Sequence, residues 1–588
     1  MHADNSHPHT NRPGNRADTS PNASPEMVIS DWLVVEVSQR LDLLPDAIDV
    51  EQVLVRYGID SIGALELLAA LEDWLGCSLP LTLVWEYPTI QAIARYVAQL
   101  VHPDSTLDAD IRAWITSEKQ PPTAPQWGGV HEHPLSYEQR ALWSLYQSAP
   151  DNTLGNLMSA GRIRAELDIP ALQQAFQQLL DRHPALRTTF ALSDGKPVQR
   201  VHEHMEVRCS EEDASHWSEE FLQHCLSGEA YRPFDLERGP LLRLQLFSRS
   251  PQEHIFLLVV HHIIADFWSL VIFVYELEEL YQAVKNERSA TLSPLRAKFT
   301  DFVHWQTDLL NNAPGQRLWN YWKQQLSGPL PILNLPIDRR RPLWHSYRGA
   351  SQPLKLDLTL TTELKALSLA SGTTLFTTLL ATLYVLLSYY TDQEDLVVGS
   401  QMAGRSRPDW LSCIGHFTNP VALRTNLAGN PTFETILKQT QQTVEGAFEH
   451  QDYPFSLLVE RCQPQQDLGR RPFPQVMFIF KKAHQLNGAD LTPLALGIES
   501  AQVQVGKWPL SSIPLDFVSL EQHLAQCDLT LTMGEIAGEL SGSLQYNTSL
   551  FDPTTILRMR NRYQKLLEII VNDTKQPLAT IRLALHDN

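Results

Sequence analysis

The chain has 588 residues, enough for about three or four compact units. It contains no run of about 18 or more uncharged apolar residues, so we expect no transmembrane helix. With 67 Asp and Glu against 47 Lys and Arg, its net charge is −20, which disfavours a general nucleic-acid binder because phosphate binding needs a basic surface. The six cysteines are widely spaced without a C-x-x-C pair, so we expect no disulfide framework, no zinc site and a cytoplasmic protein.

Residues 1–25 are rich in Asn, Pro, His, Ser and Thr. They lack the apolar run of a secretory signal, and their composition predicts a disordered tail. His2, His7 and His9 have no supporting structure for a metal site, so we expect no metal there.

Residues 26–102 are predicted to form a small helical unit. Apolar residues at near-helical spacing indicate helices over 27–41, 61–74 and 89–100. The unit carries twelve acidic residues against three arginines, which by itself is typical of a solvated face. We predict an all-α bundle of three or four helices.

The second of these helices begins after Gly58-Ile59-Asp60-Ser61. The simplest interpretation of Ser61 is a helix N-cap, since Ser and Asp both cap helices well. A nucleophile elbow is disfavoured, because the spacing is not G-x-S-x-G and no strand precedes it.

This run, followed by Leu79-Pro80 and by residues 86–90, resembles the phosphopantetheine carrier domains, and the acyl carriers of polyketide synthases more than typical peptidyl carriers. The resemblance implies that a phosphopantetheinyl transferase attaches 4′-phosphopantetheine to Ser61. Its phosphodiester would lie at a helix N-terminus, where backbone N–H groups and the helix dipole favour negative charge.

Residues 103–133 contain Pro121-Pro122, Pro125 and Gly128-Gly129, with one short helical stretch near 111–115. Pro and Gly without sustained periodicity predict a linker. Its length would let the bundle move over a neighbouring surface.

Residues 134–588 mix helical and strand patterns. The continuous apolar run 255–260 is typical of a strand buried on both faces. The other predicted elements are helices over 170–181 and 269–284, two helices within 360–390, and strands over 396–399 and 475–480. We predict an α/β or α+β unit with two lobes, which together with the helical bundle gives an α+β multidomain chain.

His261 and His262 follow the buried strand, in the run His261-His262-Ile263-Ile264-Ala265-Asp266. Side chains alternate across a strand, so only one of the two histidines is expected to face a cavity. An isolated strand-end His is more often structural. A zinc site would need both rings to converge with a third ligand, and we expect none.

The HH-x-x-x-D pattern resembles the condensation domains of nonribosomal peptide synthetases, in the chloramphenicol-acetyltransferase superfamily. Six further runs occur in the family's order, at residues 135–143, 182–190, 233–241, 414–419, 450–455 and 546–552. The resemblance spans residues 134–588. It implies a V-shaped pair of acetyltransferase-like lobes, about 134–340 and 341–588, with the active site midway along a tunnel between two carriers.

The resemblance also implies residue roles. The catalytic histidine maps to His262, leaving His261 as structural. Asp266 is the structural acid, Arg405 is its candidate partner, and Asn419 is expected to line the tunnel. His262 would take the nucleophile's proton near neutral pH, or orient the nucleophile or hydrogen-bond the tetrahedral intermediate. The sequence leaves these possibilities open.

Phe267 departs from the family, which usually has Gly after the Asp. Because Gly permits close backbone approach, we expect Phe267 to narrow or reshape the acceptor side, and the acceptor preference stays open. His416 is expected to be an ordinary loop histidine.

These resemblances predict a carrier–condensation didomain of a polyketide or nonribosomal peptide assembly line that makes a secondary metabolite such as an antibiotic. As an acyltransferase, it would receive an acyl chain from an upstream synthase module. The acceptor would be an amine or hydroxyl, free or on another carrier, giving an amide or ester, with chain release if it is free. Because these units take up most of the 588 residues, we expect no adenylation domain beside them.

Two alternatives stay open. An epimerisation-type relative shares the HH-x-x-x-D motif, although residues 414–420 resemble the condensation type. A recruitment platform would keep the fold without the chemistry, although His262 and Asp266 are intact. Heterocyclisation is disfavoured because those relatives replace the His pair with Asp. We expect no nucleic-acid or membrane partner.

Overall fold

The structure is a computed structural model. It describes residues 25–41, 43–52, 54–57, 59, 67–68, 70–72, 74–75, 79, 83, 89–101, 129–207, 209–342, 346–462, 473–481, 515–518 and 524–585. The chain divides into two compact units, residues 1–124 and 125–588. Within the described residues, no single helix has the length and hydropathy of a membrane span, although the bent pair Leu358–Ala370 and Leu375–Thr391 meets the same criteria.

The described part of the first unit contains two long helices. Helices α1 (Pro25–Leu41) and α2 (Ile90–Val101) each bury one apolar stripe, as expected for residues three and four apart on a helix. Both helices were predicted, and both are confirmed to within two residues at each end. Ser61 lies outside the described residues.

The second unit has two hydrophobic cores, around which its elements form an N-lobe and a C-lobe. The N-lobe elements are β1 (His131–Pro134), α3 (Tyr137–Ser148), β2 (Asn156–Ile163), α4 (Ile169–Arg182), β3 (Thr188–Ser193), β4 (Lys196–Val201), β5 (Ser210–Asp213), α5 (Glu219–Ala230), β6 (Leu242–Ser250), β7 (Glu253–His261), α6 (Phe267–Lys285) and α7 (Phe299–Asn311). Strand β7 lies between β2 and β6, and a separate small sheet has the order β1-β4-β3.

The C-lobe elements are α8 (Ala313–Gln325), β8 (Gly349–Lys355), α9 (Leu358–Ala370), α10 (Leu375–Thr391), β9 (Asp395–Met402), β10 (Asn419–Asn426), α11 (Phe433–Glu449), α12 (Phe455–Cys462), β11 (Val476–Lys481), β12 (Leu515–Val518), β13 (Leu529–Ile536), β14 (Glu539–Asn547), α13 (Pro553–Asn572) and α14 (Leu578–Ala584). Six strands form a mixed sheet in the order β10-β9-β11-β13-β14-β8. Helix α10 is buried on nearly all sides, which explains its apolar sequence.

The lobes exchange segments. Strand β12 pairs antiparallel with β2 and so extends the N-lobe sheet. Residues 410–417 pack into the N-lobe core, whereas Trp322 already belongs to the C-lobe core. The boundary between the lobes that was expected near residue 340 therefore does not coincide with the boundary between the two hydrophobic cores. An apolar pattern predicts that a residue is buried, but it does not predict which core the residue joins.

The predicted linker ends earlier than expected. Strand β1 runs from His131 to Pro134 and pairs antiparallel with β4, so the folded unit begins before residue 134. These four residues lack the apolar alternation that predicts a strand. Residues 102–128, including the helical stretch expected near 111–115, lie outside the described residues.

Candidate active site

The two histidines stand where β7 ends. His261 is the last residue of the strand, and His262 is the first residue of the turn that leads to α6. The His262 backbone N–H donates to the Gly155 carbonyl oxygen at 2.6 Å. The Gln139 side chain, which also forms a capping box with Ser136, donates to the Ile263 carbonyl oxygen at 3.0 Å. These contacts hold the turn from two sides, through the residue before β2 and through α3.

Asp266 and Arg405 form a buried ion pair at the base of this turn. Two hydrogen bonds join them: Arg405 Nη1 donates to Asp266 Oδ2 at 2.9 Å, and Arg405 Nη2 donates to Asp266 Oδ1 at 3.1 Å. Asp266 is 0% and Arg405 is 3% exposed. Ser269 N–H and Oγ–H donate to Oδ1, and Phe417 N–H donates to Oδ2. The structure thus pairs the two residues that the resemblance suggested as partners.

Gly404 allows Arg405 to reach this position. Its φ is +67°, and a Cβ there would lie 1.9 Å from the Phe417 carbonyl oxygen. Only Gly combines that backbone conformation with so close an approach. Burial lowers the pKa of Arg405 and the Asp266 charge opposes that effect, consistent with a guanidinium that stays charged.

His262 is half-buried and oriented by the backbone. Its Nδ1 lies 2.7 Å from the Ala265 carbonyl oxygen, which can only accept, so Nδ1 carries the proton and Nε2 presents a lone pair. Burial lowers the pKa of His262, while the Ala265 hydrogen bond and the Asp266 charge raise it and Lys481 lowers it. A neutral imidazole with a free Nε2 is suited to accept a proton.

His261 has a different environment. The residue is 7% exposed, its ring centroid lies 6.0 Å from that of Phe234, and its Nδ1 accepts a hydrogen bond from Ile263 N–H at 3.2 Å. Burial lowers the pKa of His261 to about 3. A neutral, enclosed ring of this kind packs the strand end.

His416 was not among the predicted site residues, and yet it contacts His262. The two Nδ1 atoms are 3.0 Å apart, and the ring centroids are 4.3 Å apart at 90°. Burial, with the His262 charge second, holds the pKa of His416 well below its usual range. No periodicity in the sequence could have shown this contact, which joins two loops 154 residues apart.

Asn419 begins β10, and its side chain binds the neighbouring loop. Its amide nitrogen donates to the carbonyl oxygens of Gln451 and Tyr453, at 2.6 and 2.8 Å, and its oxygen accepts from Phe455 N–H at 2.9 Å. These bonds favour a structural contribution, and the expected tunnel-lining role stays a prediction.

Phe267 and Lys481 lie near each other beside the His262 turn. Phe267 is the first residue of α6, directly after the N-cap Asp266. Lys481 ends β11, and its Nζ lies 5.6 Å from the Phe267 ring centroid. Burial lowers the pKa of Lys481 to about 8. Lys481 also acts on His262 through its charge, and the Phe267 ring occupies the position at which the resemblance leads us to expect Gly.

The described residues contain no group of three or more His, Cys, Asp or Glu that could hold a metal ion. 4′-Phosphopantetheine is attached to a protein through a phosphodiester to a serine hydroxyl, so the Ser61 side chain has the chemistry that this cofactor requires. The described neighbours Ile59 and Leu67 are buried core residues.

Comparisons with known proteins agree with this arrangement. The family model described as "Condensation domain" matches residues 130–588, and that described as "Phosphopantetheine attachment site" matches residues 31–97, a span that includes Ser61.

Among curated relatives, tyrocidine synthase 3 of Brevibacillus parabrevis is 34% identical over 90% of this chain and 7% of its own length. Surfactin synthase subunit 1 of Bacillus subtilis is 31% identical over 96% of this chain and 14% of its own length. Chondramide synthase of Chondromyces crocatus is 36% identical over 76% and 11%. The chain thus spans a small fraction of these relatives.

Among solved structures, a four-domain nonribosomal peptide synthetase bound to AMP and glycine has a TM-score of 0.68 at 22% identity, covering 78% of this chain and 34% of its own. The X-domain from teicoplanin biosynthesis, in complex with OxyB, has a TM-score of 0.66 at 27% identity, covering 77% and 96%. The first condensation domain of the calcium-dependent antibiotic synthetase has a TM-score of 0.62 at 18% identity, covering 76% and 99%. The first and third show the fold alone.

Proposed function

The chain belongs to the condensation-domain family and carries a phosphopantetheine attachment domain ahead of its condensation domain, and we propose that it transfers an acyl group from a thioester to an amine. The observation that carries the proposal is the orientation of His262. Its Nδ1 is fixed by the Ala265 carbonyl at 2.7 Å, which leaves Nε2 as the proton acceptor.

In this proposal His262 removes the proton of the acceptor amine as the amine attacks. General base work of this kind typically accelerates a reaction by about 10²–10⁴-fold. Asp266 does not take the proton, because Arg405, Ser269 and the Phe417 N–H already occupy both its oxygens. Instead, the ion pair holds the turn that presents His262.

Ser61 is the proposed attachment point of the cofactor. When bound, 4′-phosphopantetheine supplies the thiol that carries the acyl group as a thioester. A phosphopantetheinyl transferase would install the arm on the Ser61 hydroxyl, and an upstream synthase module of the polyketide or peptide type would supply the acyl chain.

The acceptor is proposed to be an amine, giving an amide, with a hydroxyl and an ester as the variant of the same chemistry. An acceptor on another carrier would extend the chain, and a free acceptor would release it. Phe267 and Lys481, next to each other at 5.6 Å, are the chain's own candidates for setting acceptor preference.

A recruitment platform is the second candidate. The similarity to the X-domain, which is solved in complex with OxyB, favours it, because a condensation-type fold serves in that complex as a binding partner. The oriented His262, and the Asp266 carboxylate with both oxygens bonded, favour catalysis.

The test is product analysis with acyl-loaded protein, with and without candidate amines and alcohols. A new amide or ester that needs intact His262 supports the proposal. Loss of stereochemical purity in the acyl group without a new bond would indicate an epimerisation-type relative. Unchanged thioester with every acceptor would overturn catalysis in favour of the platform.

A further inference from the structure

His416 meets the ring of His262 edge to face. The ring centroids are 4.3 Å apart, the Nδ1 atoms are 3.0 Å apart, and His416 is only 7% exposed. Asp266, the carboxylate on the same turn as His262, is engaged by Arg405. The side chain that contacts the Nδ1 of His262, the proposed base, is therefore not the Asp266 carboxylate but the His416 ring, through its own Nδ1.

The positions of the protons follow from the neighbouring carbonyl group. Two nitrogens can share a hydrogen bond only if one carries a proton and the other presents a lone pair. The Ala265 carbonyl oxygen lies 2.7 Å from His262 Nδ1. If His262 Nδ1 carried no proton, its lone pair would lie 2.7 Å from the lone pairs of that oxygen, which is repulsive. The same carbonyl acts on His416 as well, but less than burial and the neighbouring charges do. Because its hydrogen bond of 2.7 Å is to His262 Nδ1, the proton is placed on His262, and His416 Nδ1 presents the lone pair.

We propose that His416 is a positioning residue that acts through His262, with its Nδ1 as a second acceptor, beside the Ala265 carbonyl, for the His262 Nδ1–H. Two acceptors hold the tautomer in which Nε2 is unprotonated. During transfer, the amine nitrogen bonds to the acyl carbon as the carbon–sulfur bond breaks. The amine proton passes to Nε2 and then to the departing sulfur. While His262 is positively charged, both acceptors stabilise it.

This role requires that His416 stay neutral. Burial and the adjacent His262 hold the pKa of His416 well below its usual range, so its Nδ1 remains an acceptor near neutral pH. The other titratable or charged groups that act on the two rings are Asp266, Arg405, Lys481 and His261. All four stay unchanged in the variants below, so a change in His262 reports on His416.

The inference rests on the proposed function, and its test therefore includes a measurement that needs no turnover. Diethyl pyrocarbonate acylates unprotonated imidazole, and peptide mass spectrometry of the full chain gives its rate at His262 against pH. In His416→Leu we expect the midpoint to fall by about one pH unit, because a hydrogen bond to the charged form is lost. We expect the single-turnover rate to fall about tenfold.

His416→Asn is the conservative control, since its amide oxygen can lie where Nδ1 lies. It should restore both the midpoint and the rate. A midpoint in His416→Leu equal to that of the wild type, or losses in His416→Asn as large as in His416→Leu at equal thermal stability, would overturn the inference. If His416→Leu does not fold, His416→Val is a second variant without an acceptor. A wild type without turnover would overturn the proposed function, while the acylation midpoint would still decide the role of His416.

Discussion

Both carboxylate oxygens of Asp266 accept hydrogen bonds, and its partner Arg405 is held in place by further contacts. Arg405 also donates to Ser269 Oγ and to the Cys413 carbonyl, each at 3.0 Å, and its guanidinium lies 4.1 Å from the Phe417 ring centroid. Removal of either charge would leave the other buried. A buried pair of this kind costs far more to break than a solvated one.

Asp266→Ala is therefore expected to lower the free energy of unfolding by about 3–5 kcal/mol. The matched control is Glu535→Ala, which breaks the exposed pair between Lys365 and Glu535 and should cost no more than about 1 kcal/mol. Urea unfolding of both variants provides the comparison. An Asp266→Ala protein with wild-type stability and no activity would place Asp266 in the chemistry.

The pH dependence of the rate tests the environment of His262. A base must be neutral, so the rate falls as the pH drops through the pKa of His262. Burial lowers that pKa, and we therefore expect the acid limb of kcat/KM to have its midpoint below about pH 6.5, the ordinary value for His. Rates measured from about pH 5 to pH 8 check this. A midpoint above the ordinary value would mean that His262 is stabilised in its charged form.

Among the secondary elements, those with strong patterns were predicted from the sequence alone. The apolar run 255–260 gave β7, and helical spacing gave α4 and α6, because one buried face imposes a period on the sequence. The pairing of Asp266 with Arg405 came only from family resemblance, since 139 residues separate them. The contact between His416 and His262, and the pairing of β12 with β2, depend on which loops and edges meet, which periodicity does not encode.

Strand β7 packs closely against the residue that precedes β2. A Cβ on Gly155 would lie 2.3 Å from His261 Nε2, so Gly155→Ala must displace the ring and should cost about 1–3 kcal/mol. In a His261→Ala background the clash partner is gone, and the cost should nearly vanish. Denaturant unfolding of the two single variants and the double variant measures this coupling.

Gly228→Ala is the matched control. Gly228 lies in α5, and a Cβ added there would meet no neighbouring atom within 4 Å, so Ala there should stabilise the protein by about 0.5–1 kcal/mol. An equal cost of Gly155→Ala with and without the His261 ring would show that the ring does not fill the space beside Gly155.

At the scale of the whole molecule, the chain consists of two units with separate hydrophobic cores. Ser61→Ala is expected to abolish attachment of 4′-phosphopantetheine and to leave the unfolding of the condensation unit unchanged. Intact mass after treatment with a phosphopantetheinyl transferase and coenzyme A gives the first result, and thermal unfolding gives the second. A variant that still gains the arm would show that another residue carries it.

We expect the two units to act together in acyl transfer, with His262 as the base. The most direct measurement is the single-turnover rate of amide formation by acyl-loaded protein mixed with an amine, for wild type, His262→Ala and His261→Ala. We predict that His262→Ala lowers the rate by about 10²–10⁴-fold with normal loading, while His261→Ala mainly lowers stability. A wild-type rate in His262→Ala, or equal losses in both variants at equal stability, would contradict the account.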